Sequence, residues 1–273
     1  MRTCLLIAAL LLVSGCGSAP ADKSDGLTSV LWVQTSEEYD ALCRQAYLCA
    51  SIALDKAIAN RSSTAALEQT EQIDFEALPV AIIIDVDETV LDNSPYQAAL
   101  ALDGRSYSSK TWHEWVMEGR ARPISGAVTF LSRAVDLGIS IFYVTNRTAD
   151  LEAATRTNLI AAGFPLRDDD DAVLSKGERE NWSSDKATRR QWIARTHRIA
   201  LLIGDDLGDF ISPARGDRAQ RHALVFPHRA RWGVNWIALP NPLYGSFDRS
   251  ILHGATIAEP QDRIDLRRQA LRR

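Results

Sequence analysis

The residues best suited to chemistry follow directly after an apolar run. Val80 to Ile84 contains no polar side chain, and Asp85 and Asp87 come next, one residue apart. Such a run predicts a strand buried on both faces of a parallel α/β sheet, where chemistry occurs at the carboxyl ends of the strands. A bare pair of acids could equally close a strand in an ordinary turn. At a parallel strand end, however, two carboxylates can neutralise a divalent cation while one of them attacks an electrophile.

Two more apolar runs end in polar side chains. Ile139 to Val144 and Ile199 to Ile203 have the same buried-strand pattern as Val80 to Ile84. Because parallel strands end at one edge of a sheet, we expect the polar residues of all three ends to meet in one crevice. The residues at the second and third ends, with a lysine that precedes the third strand, are Thr145, Asn146, Arg147, Lys186, Asp205, Asp206 and Asp209.

Helical patterns between these runs predict the elements that position them. The alternation of strands and helices indicates an α/β fold, a doubly wound, Rossmann-like parallel sheet with N-terminal helices and a small helical insert. We expect the folded domain to cover 31–250, with the insert at about 96–122 and a C-terminal tail at 251–273. The predicted helices are Glu37 to Ile58, Ser125 to Leu137, Thr148 to Ala162 and Lys186 to Thr196.

Composition limits the possible partners and cofactors. A chain of 273 residues with 46% hydrophobic content can bury a full core, and a net charge of −4 argues against binding a nucleic-acid polymer. Cys43 and Cys49 lie six residues apart on a predicted helix, about 9 Å along its axis and beyond disulfide reach. With no Cys-His pattern nearby, a zinc site is not expected.

The first residues have the pattern of a secretory signal. Residues 1–15 combine a positive start, an apolar stretch too short to span a bilayer, and small residues. Val13 to Cys16 resembles a bacterial lipobox, which implies lipidation of Cys16 and leaves cleavage without modification as the alternative. Residues 16–30 would form the lipidated cysteine and a flexible tether, and Gly17 implies sorting to the outer membrane. We therefore expect a lipid-anchored protein of the bacterial cell envelope, joined to its membrane through Cys16.

The strand-end residues form an inventory for phosphoryl transfer. Asp85 would attack phosphorus and form an aspartyl phosphate, while Asp87 would protonate the leaving group and later deprotonate water. Thr145 and Lys186 would hold the phosphate oxygens. The ligands expected for Mg²⁺ are the side chains of Asp85 and Asp205 and the backbone carbonyl of Asp87, and residues supporting the phosphate or the metal would be Asn146, Arg147, Asp206 and Asp209.

The string Asp85-Val-Asp87-Glu-Thr89 resembles the first motif of phosphatases of the haloacid dehalogenase (HAD) superfamily. Within it, the chain resembles the class C acid phosphatases, the family of lipoprotein e, from Leu31 nearly to Tyr244. That resemblance implies Mg²⁺-dependent hydrolysis of phosphomonoesters, including nucleoside 5′-monophosphates, at acidic pH. Asp206 and Gly208 depart from the family, in which Asn and Asp are frequent there. The matching segments include Asp92 to Tyr96, Trp112 and Trp115, Phe142 to Arg147, Ser184 to Lys186 and Leu239 to Gly245.

The resemblance also implies a substrate contact and leaves alternatives open. Residues that match Trp112 and Tyr244 form an aromatic clamp around the substrate base in that family, although Trp112 could instead simply pack the insert onto the sheet. A non-catalytic surface lipoprotein that binds a ligand on a phosphatase fold is a second hypothesis, but a protein of that kind would be expected to lose Asp85 or Lys186. A phosphotransferase that passes the phosphoryl group to an alcohol is a third.

Overall fold

The computed structural model describes residues 26–166 and 171–272. The predicted signal peptide, Cys16 and the tether as far as residue 25 lie outside the described residues.

A five-stranded parallel sheet organises the molecule, in the order β5-β4-β1-β6-β7. Both faces of the central strand β1 are covered, because Ile82 and Ile84 join one buried apolar cluster while Ala81 and Ile83 join another. The prediction of a doubly wound parallel α/β sheet is confirmed. The strands of this sheet are β1 (Val80–Ile84), β4 (Ser140–Thr148), β5 (Val173–Lys176), β6 (Arg198–Gly204) and β7 (Trp236–Ala238), and a separate antiparallel pair joins β2 (Leu91–Asp92) to β3 (Arg122–Pro123).

Helices cover the two faces of the sheet. Leu54 of α2, Leu131 of α5 and Leu159 of α6 belong to the cluster on one face, and Ile193 of α7 belongs to the cluster on the other. In chain order the helices are α1 (Leu27–Thr35), α2 (Glu37–Ala59), α3 (Ser94–Asp103), α4 (Ser109–Glu118), α5 (Ala127–Asp136), α6 (Glu152–Ala161), α7 (Ala187–Ala194), α8 (Arg218–Val225), α9 (Ser246–Ile251) and α10 (Pro260–Ala270).

The predicted insert corresponds to α3 and α4, which lie between β1 and α5. The antiparallel pairing of β2 with β3 joins the two ends of this segment, with Leu91 opposite Pro123 and Asp92 opposite Arg122. The insert is therefore attached immediately after the Asp85 to Thr89 segment, next to the carboxyl end of the sheet.

Both ends of the described chain are helical. Helix α1 starts at Leu27, and Val30 and Val33 of that helix are buried, so residues 27–30 at the end of the predicted tether are helical. In the C-terminal segment, Arg267 of α10 pairs with Asp248 of α9 at 2.8 Å. Among the residues that the structure describes, none of the helices combines the length and the apolar character needed to cross a membrane.

Candidate active site

Asp85 is the first residue after β1 and lies at the centre of the sheet's carboxyl edge. Its amide N–H donates to the carbonyl of Ile203 at 2.9 Å, so the pairing of β1 with β6 continues through it. Only 9% of the residue is exposed. One carboxylate oxygen accepts a short hydrogen bond from Nζ of Lys186, and the other lies 3.5 Å from Oγ1 of Thr89. The fold thus aims one oxygen of a buried carboxylate at a buried ammonium.

Lys186 joins two acids from different strand ends. Its Nζ also donates to Oδ1 of Asp209 at 2.6 Å. Burial by itself would lower the pKa of Lys186, but the charges of Asp209 and Asp85 outweigh burial and raise that pKa. The ammonium therefore stays charged and brings positive charge to a pocket that is otherwise acidic.

Three carboxylates at this edge could hold a metal ion. One oxygen from each of Asp85, Asp205 and Asp209 lies within 4.8 Å of the other two. A hard divalent cation prefers this all-oxygen donor set. Two of the three were expected as metal ligands from the sequence, whereas Asp209 was expected to play only a supporting part.

Burial of these acids makes a cation favourable. Burial raises the pKa of Asp85 to about 7; Lys186 opposes this rise, while Asp209 and Asp87 add to it. Burial, together with the charges of Asp85 and Asp209, also raises the pKa of Asp205 well above its usual range. A positive ion among the acids would favour their ionised forms, so the residues present fit a divalent metal.

Asp205 and Asp206 are held by the chain that follows β7. Nδ2 of Asn241 donates to Oδ2 of Asp205 at 2.7 Å, and Thr89 donates to Oδ1 of Asp205 at 3.0 Å. The hydroxyl of Ser246 donates to Asp206 at 2.7 Å. Asp206 thus fixes the loop after β7, and its side chain does not belong to the three-carboxylate cluster.

Asp87 lies on the insert side of the site and is partly exposed. Nη2 of Arg147 donates to its Oδ1 at 2.7 Å, and Nε of the same guanidinium lies 3.0 and 3.2 Å from the two carboxylate oxygens. Nδ2 of Asn93 donates to Oδ1 at 2.9 Å. Asp87 is therefore oriented from two directions while 17% of its side chain remains open to solvent.

Thr145 and Asn146 lie inside β4, which continues to Thr148 beyond its predicted end at Val144, and their side chains have different partners. The Thr145 side chain is fully buried and its Oγ1 accepts the N–H of Arg147 at 3.0 Å. The exposed amide of Asn146 accepts from Arg189 at 2.8 Å and donates to the carbonyl of Ser184 at 3.1 Å. Asn146 thus ties β4 to the segment before Lys186 and makes no hydrogen bond to the acids.

The two aromatic candidates border the same network. The guanidinium carbon of Arg147 lies 5.7 Å from the centroid of the Trp112 ring, which packs edge-on against Tyr96 with 5.2 Å between centroids. The hydroxyl of Tyr244 donates a short hydrogen bond to Oε2 of Glu88. Trp112 therefore approaches from the insert and Tyr244 from the loop after β7.

Several residues of the site were not assigned a role from the sequence. Four of them lie inside segments that resemble HAD phosphatases or the class C family, which was the signal that could have singled them out, whereas Arg189 lies outside those segments. The residues are Glu88, Thr89, Asn93, Arg189 and Asn241.

A family model and solved structures that match this chain both belong to acid phosphatases. Residues 13–247 match the family model described as HAD superfamily, subfamily IIIB (acid phosphatase). The structure is similar to that of the class C acid phosphatase from Bacillus anthracis, with 28% sequence identity, a TM-score of 0.79, and coverage of 92% of this chain and 98% of that one. A structure of the Bacillus anthracis class C enzyme with tungstate bound matches with 29% identity, the same TM-score and the same coverage.

The matches to curated plant proteins cover a smaller part of this chain. The stem 28 kDa glycoprotein of Glycine max is 28% identical over 178 residues, which are 63% of this chain and 62% of that protein. Acid phosphatase 1 of Solanum lycopersicum is 26% identical over 172 residues, 59% of this chain and 57% of its own length. The chain therefore spans less than two thirds of these relatives.

Proposed function

Because this chain belongs to subfamily IIIB of the HAD superfamily, a family of acid phosphatases, we propose that it hydrolyses phosphomonoesters through a phosphorylated Asp85. The observation that carries the proposal is the contact of Lys186 with both Asp85 and Asp209 at the end of β1. A buried ammonium beside a buried carboxylate can offset the negative charge of an approaching phosphate. The same ammonium leaves the second oxygen of Asp85 available for attack.

Two proton transfers complete the proposed reaction. An oxygen of Asp85 forms a bond to phosphorus while the bond from phosphorus to the ester oxygen breaks, and Asp87 donates a proton to the departing alkoxide. Asp87 then takes a proton from water, whose oxygen attacks phosphorus and releases inorganic phosphate with Asp85 restored. The partial exposure of the Asp87 side chain, 17%, supports its access to the leaving group and to water.

The phosphate oxygens need donors of their own. The contact of Lys186 with Asp85 supports this role, and Thr145 lies inside β4, the strand that pairs with β1. The main-chain link from Arg147 to the Thr145 hydroxyl oxygen leaves that hydroxyl's proton free to donate. We propose that these two residues hold the phosphoryl group during transfer.

Mg²⁺ is the cation that we propose for the carboxylate cluster. Asp85 and Asp205 would hold it, and Asp209 lies close enough to support it directly or through water. Bound there, it would supply positive charge to the transferring phosphoryl oxygens. The absence of His and Cys from the proposed ligand set favours Mg²⁺ over Zn²⁺.

Nucleoside 5′-monophosphates are the proposed substrates. This proposal is supported by the contacts of Trp112 with Arg147 and of Tyr244 with Glu88, which place both aromatic residues next to the network around Asp87. An aromatic face stacks on any base, so we expect a preference for nucleotides over sugar phosphates with little discrimination among bases.

Phosphate release from a panel of nucleotides, sugar phosphates and aryl phosphates tests the proposal. We expect turnover that is abolished by EDTA and restored by Mg²⁺, with Zn²⁺ a poor replacement. Full activity after exhaustive chelation would contradict the metal assignment. No release from any substrate with Mg²⁺ present would instead favour a non-catalytic ligand-binding protein, and adding an alcohol acceptor would detect phosphotransfer.

A further inference from the structure

Glu88 combines two properties that are unusual for a charged residue. Its backbone adopts φ +56°, in the left-handed region that residues other than glycine rarely occupy, and only 2% of the residue is exposed. A carboxylate is buried without great cost only where it is hydrogen-bonded. The contacts of this side chain therefore indicate what its placement serves.

Both carboxylate oxygens of Glu88 accept hydrogen bonds. The backbone N–H of Asn93 donates to Oε1 at 3.1 Å, and Nδ2 of Asn93 lies 3.3 Å from Oε2. The hydroxyl of Tyr244, 156 positions along the chain, donates to the same Oε2. One side chain thus joins the start of the insert to the loop after β7.

Asn93 passes this placement on to Asp87. Its Oδ1 accepts from Nε1 of Trp115 at 2.8 Å and lies 3.4 Å from Nη2 of Arg147, two groups that can only donate. The amide orientation is therefore fixed, and its NH₂ group must face the carboxylates of Asp87, at 2.9 Å, and Glu88. Asn93 is completely buried, so water cannot replace either contact.

We propose that Glu88 is a positioning residue that acts through Asn93 to hold the Asp87 carboxyl in place for proton transfer to the leaving group. The same carboxylate holds Tyr244, which couples the aromatic side of the crevice to the acid. The inference rests on the proposed phosphomonoesterase function. In this role Glu88 acts through Asn93 and would not itself contact the reacting phosphorus or the leaving oxygen.

Leaving-group dependence separates this role from a general structural one. An alkoxide leaving group needs a proton from Asp87, whereas p-nitrophenolate departs well without one. The ratio kcat/KM covers the steps up to leaving-group departure, so hydrolysis of the phosphorylated aspartate does not enter it. A misplaced Asp87 should therefore penalise alkyl phosphates selectively.

Glu88→Gln is the test variant, because it keeps the side-chain shape and replaces one acceptor oxygen with a donor. With Mg²⁺ present, we expect kcat/KM for glycerol phosphate to fall at least about 10-fold, part of what a positioned general acid contributes, and that for p-nitrophenyl phosphate to fall less than about 3-fold. Glu114→Gln, the same change at an exposed site on α4, should leave both values unchanged.

Tyr244→Phe provides a second variant that keeps the ring and removes only the hydroxyl donor to Glu88. We expect kcat/KM for glycerol phosphate to fall about 3-fold, a smaller loss in the same direction. The double variant should be no worse than Glu88→Gln alone, because both substitutions act on the same contact between Tyr244 and Glu88. If Glu88→Gln does not fold, Tyr244→Phe alone tests the inference. An unchanged ratio of the kcat/KM values for glycerol phosphate and p-nitrophenyl phosphate would then overturn it.

Equal losses on both substrates in a folded Glu88→Gln protein, or no loss on either, would also overturn the positioning role. These outcomes are distinct from failure of the proposed function, in which the wild-type protein would release no phosphate from either ester.

Discussion

At the scale of single residues, Asp85 carries two proposed duties, nucleophile and metal ligand. Asp85→Asn keeps the size of the side chain but removes the charge that serves both. We predict that phosphate release falls by at least about three orders of magnitude, since both contributions are lost together. Asp136→Asn, the same change at an exposed site on α5, is the control. Wild-type rates in a folded Asp85→Asn protein would refute the mechanism.

Trp112 tests the substrate class. Its ring is half-buried between Tyr96 and Arg147, and stacking on a base contributes roughly 1–3 kcal/mol. We predict that Trp112→Ala lowers kcat/KM for nucleoside monophosphates by about 10-fold or more and leaves small alkyl phosphates nearly unaffected. Phe226→Ala, at an exposed aromatic residue, should change neither. Equal losses on both substrate classes would assign Trp112 to the fold.

The residues of the site differ in how far the sequence predicts them. Asp85, Lys186 and Asp205 follow from strand-end patterns and from resemblance, and the structure brings them together as neighbours. The part played by Glu88 does not follow in this way. It depends on a positive φ and on a hydroxyl from a distant loop, and neither leaves a local pattern in the sequence.

At the scale of elements, the backbone at the end of β6 packs closely against the side chain of Asp209. A Cβ built on Gly204 would lie 2.2 Å from Oδ2 of Asp209. We predict that Gly204→Ala displaces Asp209 from Lys186 and lowers phosphate release at least about 10-fold, because the acid and the lysine share one buried contact. The measurement is kcat/KM together with the unfolding midpoint.

Gly208→Ala is the matched control for this change. It lies in the short helical turn after β6, where the added Cβ would meet nothing closer than 3.4 Å, so its effect should be much smaller. An effect of Gly204→Ala as small as that of Gly208→Ala would show that Asp209 can shift without consequence.

Element boundaries also show what the sequence leaves undetermined. The helix predicted from Ser125 begins at Ala127, because Gly126 takes φ +90° and cannot continue a right-handed helix. Strand β5 was not predicted, since its four residues are too few for a periodic pattern to emerge. Strand β6, in contrast, was predicted to within a residue at each end. Strand β4 was predicted to end at Val144 but continues to Thr148, so its polar residues lie inside the strand.

At the scale of the whole molecule, the sheet order explains why separate motifs form one site. Strand β1 lies between β4 and β6, so the polar residues in the last part of β4 and those directly after β1 and β6 meet at one edge. The resemblance to class C acid phosphatases of the HAD superfamily, a phosphomonoesterase family, is confirmed by the family match and by the similarity to the Bacillus anthracis enzyme. The alternation of strands and helices predicts a doubly wound parallel sheet without knowledge of any contact, but it does not predict the order of the strands.

The segment Val13 to Cys16 predicts that the molecule is attached to a membrane. We propose that Cys16 carries the lipid, because Val13 to Cys16 has the lipobox pattern. Each buried CH₂ contributes about 0.8 kcal/mol, so two or more acyl chains would anchor the protein stably. We predict that Cys16→Ser moves the protein to the soluble fraction or leaves it unprocessed.

Cys49→Ser is the control, because that residue lies on α2 within the folded domain. The kcat/KM of the released protein should be unchanged, since the residues of the proposed site all lie from Asp85 to Ser246, far along the chain from Cys16. Cell fractionation, with mass spectrometry of the mature N-terminal peptide, makes the measurement. A native protein that is soluble and carries no lipid would show that the signal is cleaved without modification, and the phosphatase proposal would stand without the anchor.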